Sequence, residues 1–303
     1  MKIFMTGGTG FVGTTLTKKL IGQGHDVTIL TRGIKKGLTL PEGASFLEGD
    51  PTKRGPWQEK VAEHDAFINM AGASILSRWS NERKKEIRDS RILTTNHLVE
   101  AMEERKGKET HLLSASAVGY YGFHGDEILD ENNYGGTDFL ASLSSEWEAA
   151  ALGAERYGVR VALCRIGIVL GKRGGALGKM SSVFKFRLGS PLGSGKQWVS
   201  WIHEQDLANI FLFLLEHKNL EGPVNCTAPD PVRNREMAEI LGKVLGKPTF
   251  LPPLSPFFVK MTLGELGNIV LKGQRVIPEK LLKNGFFFTF PTMEAALSNI
   301  FLK

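Results

Sequence analysis

The sequence is poor in cysteine, with 2 thiols among 303 residues. Two thiols cannot build a disulfide framework or a four-thiolate metal site, so a reducing, cytoplasmic location is expected. No apolar run reaches the roughly 18 residues that a membrane-spanning helix needs. Met1-Lys2 leads within a few residues into glycines, which leaves no room for a signal peptide's apolar stretch. The 7 histidines show neither HExxH nor a paired ligand spacing, and no metal is expected. No G-x-S-x-G elbow surrounds Ser114 or Ser116. Ser190 to Gln197 lacks the first glycine of a P-loop and has Gln where Ser or Thr would hold magnesium. The net charge is +6. That excess is small and is not gathered into one block, which argues against a nucleic-acid partner. With no membrane segment either, a small-molecule substrate is the expected partner.

Glycine, by contrast, is plentiful at 35 residues, and its placement at the start of the chain is informative. Lys2 to Thr6 is a short apolar strand. Gly7-Gly8-Thr9-Gly10-Phe11-Val12-Gly13 follows, and then a segment with Phe11, Val12, Leu16, Leu20 and Ile21 at helical spacing. A second strand, Asp26 to Thr31, comes on schedule. Glycines between a strand and a helix form a dinucleotide-binding turn. Gly7 permits the turn, Gly10 lets a pyrophosphate approach the backbone, and Gly13 lets helix and sheet close up. The helix start offers free N–H groups and the positive end of the dipole. Thr9, Phe11 and Val12 belong to the same phosphate-facing stretch. An acidic residue at the end of the second strand would favour NAD. Here Thr31 and Arg32 stand there, with Lys35 and Lys36 behind, and a guanidinium suits a 2′-phosphate. NADP(H) is therefore expected before NAD(H).

Further strands are predicted at Ala44 to Leu47, Ala66 to Met70, His111 to Ser116, Arg160 to Leu170 and Gly222 to Ala228. Helices are predicted over Ser80 to Met102, Phe139 to Tyr157 and Asn234 to Leu245, the last with Asn234 as its N-cap. Alternating strands and helices indicate an α/β fold, a doubly wound parallel sheet of the Rossmann type with a smaller C-terminal substrate lobe. Ligands bind such sheets at the carboxyl ends of the strands. Those ends place Asp50 near the adenine amino group, Asn69, Ala71 and Gly72 beside the cofactor, and Ser114 near the nicotinamide. Residues 1–170 form the dinucleotide-binding domain, with 203–228 crossing back to it, and 171–303 form mainly the lobe. The lobe is rich in phenylalanine, whose burial could come from packing on the main domain, from a homodimer interface or from an apolar substrate pocket.

These motifs resemble the extended short-chain dehydrogenase/reductase superfamily, in its NAD-dependent epimerase/dehydratase group. TGGTGFVG (Thr6 to Gly13), NMAG (Asn69 to Gly72), SASAVGYYG (Ser114 to Gly122), RIGIVLG (Arg165 to Gly171) and WIHEQDLA (Trp201 to Ala208) carry the likeness. RWSNERKKEIRDSRILTT (Arg78 to Thr95), GGALGKM (Gly174 to Met180), GSGKQWVSWIH (Gly193 to His203), PVRNREMA (Pro231 to Ala238) and GQRVIPEKL (Gly273 to Leu281) are similar to an atypical subfamily. Its members are called epimerase family proteins and carry a small extra C-terminal domain. The resemblance implies redox or epimerase chemistry on a hydroxyl or carbonyl compound.

One part of the superfamily's pattern is missing. Its redox members use Tyr-x-x-x-Lys on the helix after the fifth strand, where Lys lowers the pKa of the Tyr phenol. Here Tyr134 is followed four residues later by Asp138, and Arg91 stands about where Asn is usual. Ser116, Tyr120 and Tyr121, just beyond the fifth strand, are the alternative catalytic candidates. Glu146, Glu148, Arg165 and His203 are lesser candidates for substrate contacts; His203 reads more simply as a helix start, and Trp147 as packing. Two functions stay open: an NADP(H)-dependent oxidoreductase or epimerase-like enzyme, and a non-catalytic NADPH-binding sensor or scaffold.

Overall fold

The structure, a computed structural model, describes residues 1–33, 43–172, 174–247 and 249–302. Lys35, Lys36 and Pro248 lie outside the described residues. Seven strands form one all-parallel sheet: β1 (Lys2–Thr6), β2 (Asp26–Thr31), β3 (Ala44–Glu48), β4 (Ala66–Asn69), β5 (His111–Ala117), β6 (Arg160–Ile166) and β7 (Gly222–Cys226). Their order is β3-β2-β1-β4-β5-β6-β7. The sequence of connections reverses between β1 and β4, which opens a crevice at their carboxyl ends.

Alternation along each strand builds two core layers. Ile3 and Met5 of β1 face one side with Ile29, Ile68 and Leu113, against helices α1 (Phe11–Gly22) and α5 (Glu204–Glu216). Phe4 faces the other side with Phe67, Leu112 and Leu163, against α2 (Asn81–Ala101) and α3 (Phe139–Leu152). Strands buried on both faces explain their near-continuous apolar sequence. Caps fix where the outer helices begin. Ser80 accepts from the Arg83 amide at the start of α2, and Asp138 accepts from Leu140 and Ala141 at the start of α3.

Several predicted boundaries shift. The long sixth strand breaks at Gly167, and Ile168–Leu170 leaves the main sheet to pair with Trp201–His203. The chain can turn there because a Cβ at Gly167 would lie 2.8 Å from the Ser200 carbonyl oxygen. The seventh strand ends at Cys226. The third helix stops at Leu152 and tightens into a 3₁₀ turn through Tyr157. Asn234 is not a cap: Arg233 holds that place, and Asn234 Oδ1 accepts from the Leu192 amide at 2.8 Å.

Beyond the sheet, α4 (Gly175–Lys185), α6 (Asn234–Val244) and the terminal helix Met293–Leu302 enclose a third cluster around Phe184, Trp201, Leu241 and Leu297. Of the C-terminal phenylalanines, Phe286 and Phe288 join the core under α5, whereas Phe287 is exposed. Among the described residues no helix is long and apolar enough to cross a membrane.

Candidate dinucleotide and substrate site

The turn after β1 is built by close backbone approach. Gly7 sits at φ +74°, and a Cβ there would lie 2.7 Å from the carbonyl of Met70. A Cβ at Gly13 would lie 2.1 Å from the Gly7 oxygen. Thr6 Oγ1 ties the two strand ends together, donating to Asn69 Oδ1 at 2.7 Å and accepting from the Met70 and Ala71 amides at 3.2 Å. Helix α1 starts at this turn with Gly10 as cap. It has no side-chain capping bond and no acidic residue in its first turn. Orphan amides, a positive dipole end and no competing carboxylate make this cradle fit the pyrophosphate of a dinucleotide. Thr9 is half-buried beside the exposed Gly10. The Phe11 ring instead packs on the glycine turn before α4, since a Cβ at Gly174 would lie 2.8 Å from it, and Val12 packs on the core. Those two offer their backbone, not their side chains.

At the end of β2, Thr31 Oγ1 donates to the Gly33 carbonyl at 3.2 Å, and Arg32 is exposed. No carboxylate ends β2; the nearest in register is Glu48, opposite Thr31 on β3. Asp50 Oδ1 accepts from the Thr52 amide and hydroxyl. Partial burial pushes the Asp50 pKa up, but those bonds and the nearby Arg32 outweigh it, and the carboxyl titrates below its ordinary range. One of its oxygens is thus already committed.

Asn69 and Ser114 are fully buried. Asn69 Nδ2 donates to Thr95 Oγ1 at 2.8 Å and to Ser114 Oγ at 3.3 Å, and Trp147 Nε1 donates to the same Thr95 hydroxyl at 2.9 Å. These residues form the floor beneath the crevice. Ala71 and the exposed Gly72 are the ones at its surface.

Beyond β5 lies a buried polar network. Ser116 Oγ donates to Glu148 Oε1 at 2.6 Å, and Glu148 takes Arg165 in a two-pronged pair at 2.8 Å. Arg165 also donates to the Tyr121 hydroxyl at 3.0 Å, and Tyr121 donates to Asn225 Oδ1 at 2.7 Å. Burial lowers and the Glu148 partnership raises the Arg165 pKa, with a net rise. Burial pushes the Tyr121 phenol up to about 12 against the pull of Arg165. Ser116 and Tyr121 are therefore engaged and sealed. Tyr120 differs: it is half-buried, its ring lies 3.5 Å from the Arg165 guanidinium, and its hydroxyl has no protein partner among the described residues. Tyr134 is exposed and far from this network in role, and Asp138 serves as the α3 cap. None of the 4 tyrosines has a Lys four residues on.

The lesser candidates sort by contact. Glu146 pairs with Arg88 at the surface, and His203 is the N-cap of α5, its Nδ1 accepting from the Gln205 amide. Two contributors escape sequence reasoning. Glu131 accepts from the Asn225 and Lys280 amides, and Asn225 meets Tyr121 across 104 residues of chain. Nothing local announces either. Arg91, which the sequence shows standing where Asn is usual, falls in line with the buried Ile87, Thr95 and Leu98 of α2.

The chain matches the model of the NAD dependent epimerase/dehydratase family over residues 3–226, and a domain of unknown function, DUF1731, over residues 255–300. It is 42% identical over 302 residues to the chloroplastic epimerase family protein SDR39U1 homolog of Arabidopsis thaliana, covering 99% of this chain and 86% of that one. It is 37% identical to epimerase family protein YfhF of Bacillus subtilis, covering 99% and 98%. The crystal structure of human epimerase family protein SDR39U1 with NADPH superposes with a TM-score of 0.85, at 35% identity and 99% coverage of both chains. With the reversed strand order, the glycine cradle and the matching C-terminal segment, the chain belongs to the NAD-dependent epimerase/dehydratase family, in its branch of SDR39U1-like epimerase family proteins.

Proposed function

We propose that the protein is an NADP(H)-dependent oxidoreductase or epimerase-like enzyme acting on a small hydroxyl or carbonyl compound. The observation that carries this reading is the cradle of Gly7, Gly10 and Gly13 at an uncapped helix start, beside a β2 that ends in Thr31-Arg32. The human relative solved with NADPH supports the choice of cofactor. Bound there, the nicotinamide would supply hydride exchange. The amides from Thr9 to Gly13 would hold the pyrophosphate, Arg32 would take the 2′-phosphate, and Ala71 and Gly72 would lie beside the nicotinamide half. In this reading residues 1–170 with 203–228 carry the cofactor, and 171–303 mainly cover the substrate.

For the proton, Tyr120 is the group best placed among the three candidates. Ser116 and Tyr121 already donate their protons to Glu148 and Asn225, so their work is to hold Arg165 under the Tyr120 ring. A second reading, an NADPH-binding sensor without turnover, is favoured by the absent Tyr-x-x-x-Lys pair. Calorimetric titration with NADPH and NADH tests the cofactor: NADPH should bind more tightly, and Arg32→Ala should remove the difference. Equal affinities in the wild type would refute the preference. Following 340 nm absorbance with a panel of carbonyl compounds, and product analysis with nucleotide sugars, separates the enzyme from the sensor. Turnover lost in Tyr120→Phe supports the enzyme; tight NADPH binding with no turnover across both panels supports the sensor.

A further inference from the structure

Arg91 is a half-buried cation with no carboxylate partner among the described residues. It stands on the inward stripe of α2, where Nη1 donates to the carbonyls of Ile87 at 2.9 Å and Ala73 at 3.1 Å. Its guanidinium lies 5.2 Å from the Trp147 ring centroid. A Cβ at Gly72 would lie 2.9 Å from Arg91 Cζ, so the guanidinium lies directly against the backbone just beyond β4. Among the described residues no carboxylate pairs with it, and Nε and Nη2 have no acceptor. Burial, helped by the neighbouring Arg83, lowers its pKa to about 10. Arg165, which is more fully buried, has Glu148 as its partner. A guanidinium fork is shaped for two oxygens of one group, and in Arg91 Nε and Nη2 are the donors left for such a group.

Its neighbours say where that anion would come from. Gly7 packs on Met70 and Ala71, and the next residue, Gly72, packs on Arg91. The glycine turn, the end of β4 and the guanidinium thus form one continuous line. The 14 residues of α3 contain no Lys or Arg, so α2 supplies the cation on this side of the crevice. We propose that Arg91 binds an oxyanion at the carboxyl end of β4, namely the phosphate on the nicotinamide side of the dinucleotide. The inference rests on the dinucleotide reading above. It assigns a binding residue outside the glycine turn, beside the backbone of Gly72.

Calorimetry on the full chain tests it with two ligands. NADPH carries the phosphate in question; adenosine 2′,5′-bisphosphate carries the adenine side and lacks it. Arg91→Gln should weaken NADPH about tenfold or more while changing the bisphosphate less than about twofold, and Arg91→Lys should recover part of the loss. The slope of log affinity for NADPH against log salt should become shallower in Arg91→Gln. Thermal unfolding of each variant runs alongside. Arg91→Gln with reduced stability and unchanged NADPH affinity would make the residue a packing element and overturn the proposal. Equal weakening of both ligands, which signals general distortion, would also overturn it. Inorganic phosphate titrated into the NADPH-saturated protein identifies the other source: phosphate binding lost only in Arg91→Gln would assign the cation to a substrate oxyanion instead. A wild type that binds neither nucleotide would refute the dinucleotide reading itself, separately from the role of Arg91.

Discussion

Tyr120 and Tyr121 are adjacent in the chain and opposite in circumstance. Tyr121 is fully buried with its hydroxyl shared between Asn225 and Arg165. Tyr121→Phe should cost about 1–3 kcal/mol in denaturant unfolding, because it strands a buried amide oxygen and a guanidinium N–H. Tyr120→Phe should leave stability within about 0.5 kcal/mol and lower turnover about a hundredfold or more if the phenol moves the proton. A second substitution tests the turn: Gly13→Ala puts a methyl 2.1 Å from the Gly7 oxygen. It should lower NADPH affinity and destabilise the fold by about 1–3 kcal/mol, read by titration and thermal unfolding. The turn was legible in the sequence because its whole logic lies within thirteen residues of local chain. The phenols were not. The sequence put Tyr120 and Tyr121 on one footing, and only Asn225, 104 positions away, divides them.

At the scale of elements, α5 is where titration meets structure. His203 caps it and lies against the Phe290 ring at 4.0 Å, while Asp206 accepts from the Thr289 and Phe290 amides. Burial lowers the His203 pKa from 6.5 to about 4, against the opposing pull of Asp206. The unfolded chain therefore takes up a proton near pH 6.5 that the folded chain refuses. Stability from this group is complete above pH 6.5 and is lost as pH falls toward 4, by up to about 3 kcal/mol. His203→Asn keeps a capping oxygen and removes the titration. Its unfolding free energy should fall less steeply between pH 7 and 4.5 than that of the wild type, and an unchanged slope would refute the assignment. His203 read as a helix start from WIHEQDLA, since the helical pattern begins right after it. The break at Gly167 was hidden, because the partner of Ile168–Leu170 is Trp201–His203, and a local apolar run does not report which strand it will join.

For the molecule as a whole, the C-terminal segment is part of the main core. Leu281, Phe286 and Phe288 share one cluster with Ile3, Met5 and Leu207. Phe288→Ala should cost about 3–5 kcal/mol, whereas the exposed Phe287→Ser should stay within about 0.5 kcal/mol; thermal unfolding of the pair checks both. The fold class was legible because the central strands, buried on both faces, must alternate with helices that cover them. The seat of the C-terminal phenylalanines was not, since composition says that an aromatic needs cover and not what will cover it.

That shared cluster also sets an order of events during synthesis. β1 is made long before Phe286 and Phe288, the aromatics that complete its layer. Until they emerge, the part of α5 that they pack on has no cover, and the growing chain carries an open apolar face from the synthesis of α5 to that of Phe288. Closure of this core therefore waits on a segment made long after β1, and the interval before it is when the growing chain has most need of a chaperone.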